Sequence, residues 1–127
     1  MNTDEPVQLW SQKIGSFGCY FLCLLKRFGK ELDAIRWYKK FLDEGIIRAD
    51  CYIKRPEELV RELSGKKWTV RFGEASYKPE KDEFVVLHWS KDKMEHFTLE
   101  DWDPLGNSLT RASGHVDSVR IYKEIPS

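Results

Sequence analysis

The sequence predicts an α+β domain in which N-terminal helices pack on a C-terminal antiparallel β-sheet. Three observations carry this. The front half spaces its apolar residues at the three- and four-residue intervals of a helix face. The back half uses short runs of β-branched and aromatic residues bounded by turn formers. Helical and strand patterns follow one another as two blocks, the order of an α+β fold and not of a parallel βαβ sheet. The chain has 127 residues, 41% of them hydrophobic and 13% aromatic. That suits one domain over residues 1–127 with a core of its own. No internal repeat, low-complexity stretch or long linker divides it.

The elements follow in order. Cys19 to Phe28 is dense in Leu, Phe and Cys nearly all the way round, which predicts a central buried helix stopped by Gly29 after Lys26 and Arg27. Glu31 to Glu44 places Leu32, Ile35, Trp37, Tyr38, Phe41 and Leu42 at mostly helical spacing before Gly45. Ile46 to Lys54, with Cys51, is a connection. Pro56 opens a short helix through Leu63, at a position that suits a first turn. Trp68 to Phe72 alternates as a strand, and Phe84 to Trp89 is a continuous apolar run, the pattern of a strand buried on both faces. Ser90 to Lys93 is a turn leading to a strand from His96 to Glu100. A further short strand is expected near Trp102, a turn at Pro104 to Asn107, and a last strand from Val119 to Ile125.

Lys and Arg number 21, as do Asp and Glu, giving a net charge of +0. That balance argues against a protein that grips nucleic acid or acidic lipid by counterion release. Met1 to Val7 is polar and acidic, and no apolar stretch is long enough to span a bilayer, so neither a secretory signal nor a membrane partner is expected. Three cysteines without metal-type spacing fit free thiols in a reducing cytoplasm, and neither metal nor other cofactor is expected.

The chemistry-bearing residues are few. Cys19 follows Gly15-Ser16-Phe17-Gly18, a small flexible approach to the first helix. The unpaired N–H groups and positive dipole end of a helix N-terminus can lower a thiol pKa from ~8.5 toward ~3.5–7.5. Gln12 lies upstream, where its amide and the Cys19 backbone N–H would make a pair of oxyanion donors. The competing reading is plain core packing: cysteine is among the most buried residue types, and Cys19 and Cys23 are one helical turn apart. Cys23, deeper in the helix, and Cys51, with no base nearby, read as structural. His96 stands at a strand start. If Glu100-Asp101 is a two-residue turn, Leu99 faces Trp102 and Thr98 faces Asp103, which places Asp103 diagonally beside His96. A three-residue turn would leave Asp101 or Asn107 to orient the ring. Asp103-Pro104 with Gly106-Asn107 is also an ordinary turn sequence. His88, inside an apolar run, reads as packed, and His115 as loop.

Gln12, Gly18-Cys19 at a buried helix, His96-Phe97 opening a strand, and Trp102-Asp103-Pro104-Leu105-Gly106 together resemble the papain-like cysteine peptidase superfamily. The nearest likeness is to bacteriocin-processing (double-glycine) peptidase domains and small bacterial or phage proteins of similar pattern. The resemblance implies a papain-like fold and a cysteine hydrolase cleaving an amide bond in a peptide or peptidoglycan stem. It implies Cys19 as nucleophile, His96 as base, Asp103 as its orienter and Gln12 at the oxyanion. Transfer to an acceptor other than water would use the same groups. A catalytically inactive module of the same shape, binding peptide or glycan, is the alternative.

Overall fold

The computed structural model describes residues 18–91, 94–104 and 114–126. Helices lead and strands follow: α1 (18–27), a 3-10 turn at Glu31–Asp33, α2 (Ala34–Asp43) and α3 (Pro56–Ser64) precede β1 (Trp68–Glu74), β2 (Glu83–Lys91), β3 (Met94–Thr98) and β4 (His115–Glu124). All strand pairs are antiparallel, in the order β1-β4-β2-β3. The fold is α+β. No described helix is long and apolar enough to cross a membrane.

The helices end where glycine permits. Gly29, at φ 70°, closes α1 with the Lys30 N–H on the Leu25 carbonyl at 2.8 Å and its own N–H on Lys26 at 3.0 Å. Gly45, at φ 72°, closes α2 the same way, with Ile46 bonded to Phe41 at 2.9 Å. The left-handed residue turns the chain so that two otherwise orphaned carbonyls find donors. The expected continuous helix over Glu31–Glu44 is instead a tight 3-10 turn followed by α2. Leu32, expected on its apolar face, is 95% exposed, because the 3-10 turn shifts the side-chain phase. From α2, Ala34, Tyr38 and Phe41 are buried.

The sheet is covered on both sides. Phe84, Val86 and Tyr122 face the helices and join Phe21, Leu24, Leu25, Phe41, Leu59 and Val60 in the main core. Val85, Val119 and Ile121 form a smaller cluster on the opposite face, with Tyr77, Leu87 and Val116 against it. The two-sided burial expected of the Phe84–Trp89 run holds for Phe84, Val85 and Val86, whereas Leu87, His88 and Trp89 are only half-buried. In β1, Gly73 lies opposite Val119 and leaves room for the Ile121 side chain.

Three strand expectations need correction. β2 runs on to Lys91, so Ser90 is strand and not turn; Asp92 and Lys93 lie outside the described residues. No strand forms at Trp102 and Asp103. A single backbone bond, Leu99 N–H to the Trp102 carbonyl at 2.8 Å, ties this segment to β3, and Pro104 has no N–H with which to extend a ladder. β4 begins at His115, not Val119, so His115 is a strand residue and not loop.

Candidate active site

β3 is an edge among the described strands, so N–H groups on its outer side have no described strand to bond. α1 supplies one partner. The Phe97 backbone N–H donates to the Cys19 thiol. The Tyr20 and Phe97 rings lie 4.8 Å apart and pin the same turn of helix to the same strand. Cys19 is thereby held beside the residue that follows His96. Sequence reasoning missed this bond: a backbone donor leaves no trace in residue type.

His96 sits inside β3, opposite Trp89 of β2. Trp89 Nε1–H donates to Thr98 Oγ1 at 2.9 Å, which fixes the neighbouring position on that face. Asp103 reaches His96 through a side chain and not through strand pairing. The chain reverses at Glu100-Asp101, with Leu99 bonded to Trp102 as a two-residue turn requires. Lys26 of α1 lies over the Trp102 ring at 5.6 Å. This arrangement brings Asp103 Oδ1 to 2.7 Å from His96 Nε2. Both groups are buried, His96 3% exposed and Asp103 7%. A carboxylate only accepts, so in this bond Nε2 donates and Nδ1 is the ring's other nitrogen.

Cys19 is 6% exposed. The expectation of a lowered thiol pKa does not hold. Burial, first, and the nearby Asp103 carboxylate, second, push it up to about 11, against a smaller lowering by the Phe97 N–H. Desolvation of a thiolate outweighs the donors that helix and strand supply. Burial therefore favours the neutral thiol over the thiolate.

Of the four sequence-predicted site residues, His96 and Asp103 are hydrogen-bonded to each other, and Cys19 meets the backbone of Phe97, the residue after His96. Gln12 lies outside the described residues, as do Gly15 to Phe17 and Leu105 to Asn107. Asp101 is exposed, at the turn. Cys23 is wholly buried in the main core, with its thiol pushed far up by burial. Cys51 is buried in the Ile46–Lys54 connection. His88 packs its ring 4.8 Å from Phe97, as its apolar run predicts. His115 is paired with Asp117 at 2.7 Å on an exposed part of β4. Among the described residues no group of three or more His, Cys, Asp or Glu is placed to hold a metal ion.

No curated protein and no solved structure matches the chain. A family model does, across residues 2–124, and the chain belongs to the family described as "Protein of unknown function, DUF261".

Proposed function

We propose that the protein is a papain-like cysteine hydrolase acting on an amide bond in a peptide or peptidoglycan stem. One observation carries the reading: a buried His96 Nε2–Asp103 Oδ1 bond of 2.7 Å stands beside a thiol held by the next residue's N–H. A carboxylate fixing one ring nitrogen while the other stays basic is the arrangement by which an imidazole activates a nucleophile.

In this reading His96 Nδ1 takes the Cys19 proton as Sγ attacks the carbonyl carbon. The carbonyl electrons move to oxygen, where the Cys19 backbone N–H and the Gln12 amide stabilise the charge. As the C–N bond breaks, His96 returns the proton to the leaving amine and a thioester remains on Cys19. Water, deprotonated by the same ring, then releases the acid and restores the thiol. Burial raises the thiol's pKa to about 11, so in this reading the imidazole is needed to take the proton. The same chemistry needs a reduced thiol, which suits a reducing cytoplasm.

The raised thiol pKa also favours a second reading, a non-catalytic module of the same shape that binds peptide or glycan. Acylation separates the two. p-Nitrophenyl acetate at pH 7.5 should give a burst of p-nitrophenolate and a Cys19-acetyl adduct by mass spectrometry, lost in Cys19→Ala and reduced at least about tenfold in His96→Ala. Acetylation spread evenly over the three cysteines, or an unchanged burst in His96→Ala, would leave only the binding module.

A further inference from the structure

A second site is built on the helix-facing side of the sheet. A cavity of about 270 Å³ lies between the sheet and the Cys51–Lys54 segment, and none of Cys19, His96 and Asp103 lines it. Its walls are Val70 and Phe72 of β1, Phe97 of β3, Ile53 and Tyr20, with Arg120 of β4 set among them. The register places Phe72, Arg120 and Val86 in one row across the sheet, which fixes the guanidinium on an apolar floor. It lies 4.1 Å from the Phe72 ring centre and donates to Ser118 Oγ at 2.9 Å.

Among the described residues no carboxylate forms an ion pair with Arg120, and Ser118 takes one of its five N–H donors. Arg120 is half-buried, and Phe72 beneath it is 75% exposed, so the cavity opens to solvent on that side and a ligand can reach the guanidinium. A carboxylate there would gain charge-assisted, two-pronged hydrogen bonds. The Lys54 side chain at the lining adds a second positive charge. Cys51 apart, the remaining walls are rings and branched aliphatics, which suit a flat apolar body. The volume equals roughly nine waters at their share of the liquid, enough for a small molecule and too little for a folded segment.

We propose that this cavity binds a small free aromatic carboxylate, with Arg120 as its counter-ion. 2-Naphthoate and its neutral isostere 2-naphthamide, titrated into the whole protein by calorimetry at pH 7.4, test it. The acid should bind saturably and at least tenfold more tightly than the amide. Arg120→Gln should bring the two to equal affinity, and Ile53→Trp, which fills the cavity but keeps the guanidinium, should remove binding of both. No saturable binding, or equal affinities in the unaltered protein, overturns the proposal whether or not Arg120→Gln folds. Tighter binding of a pentapeptide ending in phenylalanine than of 2-naphthoate would overturn the assignment to a free acid.

Discussion

Asp103 acts on two groups at once, and the two actions can be pulled apart by one substitution. Its carboxylate accepts from His96 at 2.7 Å and also raises the Cys19 thiol. Asp103→Asn removes the charge and keeps the size. The Cys19 thiol should then titrate at lower pH, so its alkylation by iodoacetamide, followed by peptide mapping from pH 7 to 11, should rise earlier than in the unaltered protein. Acylation at pH 7.5 should instead fall, by about a hundredfold if the ring loses its tautomer. If both rates move in the same direction, Asp103 is not a positioning residue. Asp103→Ala is a different test: it leaves a buried imidazole N–H without its acceptor and should cost about 1–3 kcal/mol in urea unfolding. At this scale the sequence was legible where chemistry depends on residue type. The His96–Asp103 pair could be read from residue type and a two-residue turn, whereas the Phe97 N–H and the desolvation of Cys19 are properties of position. The expected lowering of the thiol failed for that reason.

Elements were legible wherever one residue decides a boundary. Gly29 and Gly45 end their helices as expected because a left-handed residue is needed there. Pro104 was the overlooked signal: a residue without an N–H argues against the strand expected at Trp102. The 3-10 turn that exposes Leu32 has no such marker. Gly73 is another positional residue, next to the end of β1. A Cβ built there would stand 2.5 Å from Ile121 Cδ1 and 3.1 Å from Val119 Cγ2. Ile121 and Val119 are buried in the smaller cluster, so neither can swing into solvent. Gly73→Ala should therefore destabilise the protein by about 1 kcal/mol and Gly73→Val by about 1–3, although valine is the better strand former. Chemical denaturation of the two variants measures this. A Gly73→Val protein as stable as the parent would mean that the second face of the sheet is loosely packed.

For the molecule as a whole, the two-block order of the sequence carried the α+β class, but the strand order did not show. β4 inserts between β1 and β2, a long-range pairing that no local pattern encodes. Burial of all three cysteines is likewise a property of the assembled fold, and it couples stability to pH. The Cys19 and Cys51 thiols are pushed up to about 11 by burial, and Cys23 further. An unfolded thiol releases its proton near pH 8.5, roughly. Below that pH both states hold their protons and the thiols leave stability unchanged. Between about pH 9 and 11 the unfolded chain loses protons that the folded chain keeps, so unfolding becomes easier as pH rises, by roughly 1.4 kcal/mol per pH unit for each thiol. Urea unfolding in the presence of a phosphine reductant at pH 8, 9 and 10 should show this decline. Lysines and tyrosines also titrate in this range, so Cys23→Ala isolates the contribution. Its stability at pH 8 should be lower, through the cavity it leaves, while its loss between pH 9 and 10 should be smaller than the parent's by about one thiol's share. An identical alkaline slope in the two proteins would mean that the Cys23 thiol is open to water and that the core around α1 is not closed.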